Sequence, residues 1–471
     1  MPRLTCKSKR SALGALLVAV LWHSASVAQP LDLVDTWRLA LRHDPEYRAE
    51  QAAVEAGAEQ RNLARSLWLP TIGVSATAGR AGHTSSTQGA QFITPAEGGN
   101  PGMSSEDVEF NTSIRGGNLS SYGVGIKQPL LNRARLAESR QLRLSAEVAD
   151  LQWQSAQQNL ILKVAQRYFS VVLARENVSF LTQQQNQVEM IQQETQTRFE
   201  LGDRPVTDTY EALARAQGLH AQVLAAQMQE DLAVADFTDL TAQAPDNLLN
   251  VPLLDPLPAP RLDPLTDWLA ETLQLNPLLQ MHNKGVSIAA EQVAQYSSWS
   301  SPTVDMIGRL GYEKLDGSGR YGSALNKADD WMVGVQLNVP IFTGGYRSAK
   351  HRQALHLQDQ NLAQGDMLRQ QIKQQTRAAW LGVQVNAQQV TALQKALKAS
   401  QERLLATRLG HELGDNTTLE RLDAENTVAQ MQLELLDAKV SLIVHQLELA
   451  ALVGGLDEGH LLQANAYLQA R

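Results

Sequence analysis

The sequence predicts an α+β protein that contains one unit twice, giving two long α-helical hairpins and four β-strands. The first observation is a repeated order of motifs: Asp44-Pro45 and Leu69-Pro70 return 232 residues later as Asn276-Pro277 and Ser301-Pro302. The second is a Leu-Gly-Asp turn that ends a long helical pattern at 201–203 and again at 413–415. Motifs that keep their order over such distances indicate an internal duplication.

The N-terminus has the order of a secretory signal peptide, residues 1–28. Four basic residues come first, an apolar run from Ala12 to Trp22 follows, and Ser26-Val27-Ala28 precedes Gln29. The apolar run is too short to favour a membrane anchor. Removing these residues takes four basic and no acidic side chains, which lowers the formal net charge from −8 to −12. An acidic exported protein is a poor candidate for binding nucleic acid.

Cys6 is the only cysteine and lies inside the predicted signal peptide. The mature chain therefore has no disulfide, no cysteine metal site and no thiol nucleophile. Its histidines lack metal-binding spacing, and phosphate-binding and nucleophile-elbow motifs are absent from the sequence. We therefore expect neither a cofactor nor an enzymatic activity.

Each half starts with two short helices followed by a β-hairpin. The helices are expected at Leu31 to His43 and on to about Leu69, and again at Leu265 to Leu275 and on to about Ser301. Proline next to each boundary suits a first helical turn or a stop.

The hairpins are predicted at about 71–129 and 303–340, because apolar residues alternate there with Gly and polar residues. Polar stretches at 81–118 and 314–330 are expected to be long loops. Alternation over about ten residues suits a membrane strand that lines a wet lumen. A soluble sheet with one buried face would show the same pattern. The signal peptide, the long polar loops and the aromatic residues near strand ends favour the membrane.

Long helices are expected to begin at Pro129 and Pro340, and each to turn back at a tip, about 200–205 and 410–417. The spacing after residue 383 is that of a coiled coil. Proline crowds residues 244–263, which we interpret as a linker between a first repeat, 29–243, and a second, 264–455. Residues 456–471 are expected to form a C-terminal tail.

Four membrane strands in one chain would leave two open edges, which lipid does not tolerate. The chain is therefore expected to assemble with copies of itself. Two copies give a barrel of eight strands, and side chains fill the interior of such a barrel. Three copies give twelve strands and leave room for a lumen. The polar strand faces favour twelve.

Together these elements resemble the TolC family of outer-membrane efflux and secretion proteins. The resemblance covers nearly the whole mature chain and rests on the paired Asp/Asn-Pro motifs, the two tips, and Val339-Pro340-Ile341-Phe342-Thr343-Gly344-Gly345. It implies a homotrimer in which a twelve-stranded outer-membrane β-barrel continues into a long periplasmic α-barrel. It also implies an exit duct without catalytic activity that docks on an inner-membrane transporter through a periplasmic adaptor protein.

The resemblance also assigns candidate site residues. Glu420 and Asp423, one turn apart, match the acidic residues at the narrowest point of the entrance, where rings of carboxylates select cations. Thr207 and Asp208 match gating positions behind the first tip. The tips themselves, which are the expected adaptor contacts, comprise Leu201, Gly202 and Asp203, and Leu413, Gly414 and Asp415.

A structural role is the alternative for each of these residues. Acidic residues in a first helical turn, as Glu420 and Asp208 would be, are favourable without any pore. The tip glycines could serve only to stop helices. His411 stands where the family often has tyrosine, and Asn416 where a gating arginine can occur, so a closure network of the same kind is not expected.

Three functions compete. The absence of a lipid-bearing cysteine and the Asp44-Pro45-Glu46-Tyr47 N-terminus favour the type I secretion branch of the family, in which an ABC transporter, an adaptor and the duct export proteins such as RTX toxins in one step. Multidrug efflux, with a proton-driven pump as the partner, is the first alternative. A periplasmic coiled-coil scaffold with a soluble sheet is the second.

Overall fold

The fold is described from a computed structural model of the chain. The residues that it describes are 31–93, 104–202, 205–253, 255, 257–258, 262–297, 301–320, 322–413, 415–416 and 418–468. The predicted signal peptide, with Cys6, and part of the proline-rich linker lie outside the described residues.

The described residues are mostly helical, with four antiparallel strands, as the sequence predicts. In chain order the elements are α1 (Leu33–His43), α2 (Pro45–Ser66), β1 (Thr71–Ile93), β2 (Ser104–Asn132), α3 (Arg133–Glu200), α4 (Val206–Thr241), α5 (Leu265–Leu275), α6 (Pro277–Tyr296), β3 (Thr303–Gly319), β4 (Gly322–Asn338), α7 (Tyr346–Leu413), α8 (Thr418–Val453) and α9 (Glu458–Asn465). Within the described part of the chain, no helix combines the length and apolar character needed to cross a membrane.

The repeated Asp-Pro and Asn-Pro pairs start helices in the same way. Asp44 caps α2 by accepting a hydrogen bond from the Tyr47 backbone N–H, and Pro45 takes the first helical position. Asn276 caps α6 by accepting from the Leu279 N–H at 3.1 Å. A cap followed by proline suits a helix start because the side chain satisfies an exposed N–H while proline has none to satisfy.

The strands form one antiparallel sheet in the order β1-β2-β3-β4, and they are much longer than predicted. The expected loops at 81–118 and 314–330 are wrong: strand pairing continues through most of both stretches, and Gly319 pairs with Gly322. Residues 104–114 pair with β1 alone, so the first hairpin extends beyond the second. Backbone hydrogen bonds hold strands whose two faces are both polar, and such strands lack the alternation that marks them in sequence.

The two long helices start later than expected. Pro129 lies in β2, opposite Asp305, and α3 begins only after Asn132, whose side chain caps the Arg135 N–H. In the second repeat Gly344 and Gly345 have φ of 60° and 79°, and α7 begins at Tyr346. The turn residues, rather than the prolines, therefore decide where the chain enters the helices.

The long helices of the two repeats are equal in length. Helices α3 and α7 each have 68 residues, and α4 and α8 each have 36. At 1.5 Å per residue, α3 and α7 are each about 100 Å long. Helix α4 returns along α3 and α8 along α7, which makes two antiparallel hairpins. The main hydrophobic core lies part way along them, around the fully buried Tyr168, Phe169 and Phe237.

The proline-rich linker is held to the helices through its carbonyl groups. Lys439 of α8 is fully buried and its Nζ donates to the carbonyls of Pro252, Leu253 and Asp255 at 2.6, 2.9 and 2.8 Å. Tyr168 of α3 donates to the Leu249 carbonyl at 2.8 Å. Proline has no N–H to donate, so side chains of the helices supply the donors. Burial lowers the pKa of Lys439, and the Asp255 carboxylate offsets part of this effect.

Candidate functional site at the helical tips

The first tip ends α3 with a glycine turn. The Gly202 N–H donates to the Phe199 carbonyl at 2.9 Å, and Gly202 has φ of 79°, the left-handed region that ends helices. Leu201 beside it is 78% exposed. Helix α4 begins after Pro205, whose fixed φ suits a helix start. Asp203 lies outside the described residues.

Thr207 and Asp208 lie in the first turn of α4. The Thr207 Oγ1 donates to the Asp208 Oδ1 at 3.4 Å, and the Asp208 N–H donates to the Pro205 carbonyl at 3.2 Å. Thr207 is exposed and Asp208 is half-buried. A carboxylate in this position stabilises the N-terminus of α4, and the exposed hydroxyl is open to a further partner.

The second tip is closed by bonds within the chain. The N–H groups of Asp415 and Asn416 both donate to the Gly410 carbonyl, at 2.8 and 3.2 Å. The His411 Nδ1 lies 3.1 Å from the Asn416 carbonyl. The Asn416 side chain also lies directly against Gly410, where a Cβ would overlap it. Leu413 is 78% exposed, as Leu201 is at the first tip. Gly414 lies outside the described residues.

Glu420 and Asp423 are both exposed near the start of α8. They are three residues apart and therefore share a face of the helix. The other side of α8 is buried through Leu422. The helix thus turns this apolar side to its neighbours, and the two carboxylates lie one above the other on its exposed side.

Sequence reasoning missed an ion pair that joins α7 to α8 near the second tip. The Arg408 Nη2 and Nε lie 3.0 and 3.3 Å from the Glu425 Oε1. The Glu425 side chain is 16% exposed and the Arg408 side chain is 54% exposed, so water is partly excluded from the carboxylate but not from the guanidinium. Opposite charges flanking a turn were the available signal, but the sequence does not say which side chains face each other across it.

The tips of one chain offer exposed leucines, paired carboxylates and an exposed hydroxyl. Within the ranges that the structure describes, there is no group of His, Cys, Asp and Glu side chains that could hold a metal ion. These features, together with the duplicated fold, define a class of elongated helical proteins. Their long helical hairpins have exposed turns at one end and a β-sheet at the other.

The chain belongs to the outer membrane efflux protein family. The profile of this family matches residues 36–243 and 268–455, which fall within the two predicted repeats. The resemblance to the TolC family predicted from the sequence is confirmed, and the chain is an outer-membrane channel protein of bacteria.

Relatives of known role extend over nearly the whole chain. It is 26% identical to the alkaline protease secretion protein AprF of Pseudomonas aeruginosa, over 92% of this chain and 86% of AprF. It is also 26% identical to the outer membrane protein TolC of Escherichia coli, over 94% of this chain and 86% of TolC.

Among solved structures, the outer membrane channel CmeC of Campylobacter jejuni has the same fold. Its TM-score is 0.71 at 16% identity, and the match covers 99% of this chain and 98% of CmeC. At this identity the likeness shows the fold alone.

Proposed function

We propose that the protein forms a homotrimeric exit duct of a type I protein secretion system, which carries proteins across the periplasm and the outer membrane. The proposal of a trimer rests on one observation: β1 and β4 are the two edge strands of the four-stranded sheet. Unpaired N–H and C=O groups facing lipid cost several kcal/mol each, so β4 of one copy has to pair with β1 of the next. Three copies close a twelve-stranded barrel with a lumen.

The two faces of the sheet support a membrane location for the strands. One face exposes Val74, Leu310, Trp331, Val333 and Val335, with exposed fractions between 63% and 80%. The other carries Lys127, Asp305, Arg309 and Asp330. In the proposed barrel the first face contacts lipid and the second contacts water.

Helix α4 also carries an apolar stripe without a partner in one chain. Its exposed members form two groups at helical spacing on one face: Val206, Tyr210 and Leu213, and then Leu224, Met228 and Leu232. An exposed stripe of this length is unusual for a monomer. It suits packing against a helix of the adjacent copy, which would continue the barrel wall through the periplasm.

The periplasmic end is the proposed entrance. In a trimer, Glu420 and Asp423 form two stacked rings of three carboxylates that attract cations. Thr207 and Asp208 follow the first tip of each chain, which alternates with the second tip around the entrance. The tips also form the proposed docking surface for a periplasmic adaptor protein. The exposed Leu201 and Leu413 beside Gly202 and Gly414 fit an apolar contact with an adaptor hairpin.

The transporter at the inner membrane is proposed to be of the ABC type, and the cargo an exported protein of the RTX class. Two observations support this branch. The relative AprF is named an alkaline protease secretion protein, and the sequence has no lipid-bearing cysteine. The second candidate is the outer-membrane component of a multidrug efflux pump with a proton-driven partner. The description of the matching family, outer membrane efflux protein, supports it.

A deletion strain separates the two functions. Deleting the gene is expected to remove specific proteins from the culture medium, measured by mass spectrometry, while drug susceptibility stays unchanged. Complementation with the wild-type gene is the control. Normal secretion combined with increased drug susceptibility would favour the efflux pump, and recovery of the protein only in the soluble periplasm would exclude the duct.

A further inference from the structure

The polar face of the sheet contains a glycine that makes room for a charged side chain. Gly311 of β3 lies directly opposite Asp330 of β4 in the strand register. A Cβ added to Gly311 would be 2.9 Å from the Cγ and 3.0 Å from the Oδ2 of Asp330. A side chain at residue 311 would therefore displace the carboxylate of Asp330, which lies flat over the sheet in the space that the glycine leaves.

Asp330 is also paired on this face. Its Oδ2 lies 3.4 Å from the Nε of Arg309, and a second pair joins Lys127 to Asp305 at 3.0 Å. The side chains of Arg309 and Asp330 are 66% and 51% exposed. A pair this exposed adds little stability, so its main effect is on where the two charges lie.

The same arrangement occurs with apolar side chains on the same face. Leu315 lies over Gly117, with its Cδ1 2.9 Å from where a Cβ would be, and Ile114 lies over Gly317 at 2.8 Å. Leu315 and Ile114 are almost fully buried although they lie in a single-layer sheet. Three different side chains thus lie close to the backbone opposite glycines and do not project from this face.

We infer that Gly311 is a positioning residue that sets the bore and the local charge of the duct. It holds Asp330 flat and paired with Arg309, which leaves the lumen wide and locally neutral. A lumen of this kind suits an extended polypeptide cargo of either charge, whose passage strong fixed charges would hinder. The inference rests on the proposed function, since it needs the polar face to line a lumen.

The bore is tested with channels reconstituted in planar bilayers. Polyethylene glycols of graded size are added on the sheet side only, where they enter the sheet-lined section independently of the entrance. Gly311→Ala is expected to lower the largest polymer size that enters, because the methyl group pushes Asp330 into the lumen. The matched control is Gly334→Ala on the same face, where a Cβ has no neighbour within 4 Å. Gly311→Ala combined with Asp330→Ala is expected to restore the wild-type limit.

The charge is tested by the reversal potential in a salt gradient. Asp330→Ala leaves Arg309 unpaired and is expected to shift selectivity towards anions, Arg309→Ala is expected to shift it towards cations, and the double variant returns to the wild-type value. A Gly311→Ala channel with the exclusion limit of Gly334→Ala would overturn the inference while the duct stands. So would two single variants that leave the reversal potential unchanged.

A labelling experiment distinguishes failure of the duct itself. The mature chain has no cysteine, so single cysteines can be introduced by Asp330→Cys and Trp331→Cys. In outer-membrane vesicles a membrane-impermeant maleimide is expected to label the first variant and spare the second. Equal labelling of both, with no conductance from the wild-type protein, would overturn the proposed duct and this inference together.

Discussion

At the scale of single residues, the ammonium of Lys439 is held in place by several contacts. It donates to three linker carbonyls from a fully buried position. Lys439→Met removes the donors and leaves the carbonyls without partners, which is expected to lower stability by about 2–4 kcal/mol. Thermal unfolding followed by circular dichroism measures the effect. Lys398→Met, at an exposed position of α7, is the control and is expected to change little; equal effects of the two would contradict the role of Lys439.

Lys439 also leads to an expectation for pH. Burial lowers its pKa in the folded state, so the folded protein releases this proton at lower pH than the unfolded chain does. Between the lowered pKa and the ordinary lysine value of about 10.4, the unfolded state therefore binds more protons, and stability rises with pH. As pH increases through this window, the melting temperature of the wild-type protein is expected to rise relative to the melting temperature of Lys439→Met. Parallel curves for the two proteins would rule out the shift.

A second contrast at this scale comes from the duplicated helix ends. Gly454 ends α8 with φ of 84°, and its counterpart 212 residues earlier, Ala242, ends α4 with φ of 54°. Ala242→Gly is expected to stabilise the protein by up to about 1 kcal/mol by removing left-handed strain. Gly454→Ala is expected to destabilise it by more than about 1 kcal/mol, since its Cβ would also lie 2.9 Å from the Leu275 carbonyl oxygen. Chemical denaturation measures both, and shifts of the same sign would refute the argument.

At the scale of elements, the pair formed by Arg408 and Glu425 ties α7 to α8 beside the second tip. Arg408→Ala is expected to cost only about 0.5–1 kcal/mol in stability but to loosen this hairpin end. Amide hydrogen exchange is expected to accelerate between residues 405 and 425 and to stay unchanged at the first tip. The matched control is Arg215→Ala, which breaks a pair with Glu211 within α4 alone. Similar exchange in both variants would show that the pair does not hold the tip.

At the scale of the whole molecule, the proposed trimer makes Glu420 and Asp423 six carboxylates around one axis. Because clustered like charges raise the local cation concentration, replacing both with alanine is expected to reduce the cation preference several-fold. Bilayer recordings in a salt gradient measure the permeability ratio. Glu55→Ala, at an exposed position on α2 far from the tips in sequence, is the control. An unchanged ratio in the double variant would leave these carboxylates with a helix-stabilising role only.

The parts of the fold that depend on neighbouring residues in sequence were predictable. Asp44 and Asn276 cap helices in front of prolines, and Gly202 ends α3 in the left-handed region, because these are properties of a few consecutive residues. The duplication was readable for the same reason. The polar strands at 82–93 and 104–114 were not predictable. Both faces of these strands are polar, so their pairing leaves no periodic pattern in the sequence.

The repeated helix and strand order, the membership of the family and the positions of the two tips were all predictable before folding, because local signals and motif order encode them. Which side chains meet became visible only in the folded chain. The tertiary structure joined Arg408 to Glu425, laid Asp330 over Gly311 and brought Lys439 to the linker carbonyls. The physical reason is that these contacts join residues that lie on different elements, and their pairing depends on the register and rotation with which those elements pack.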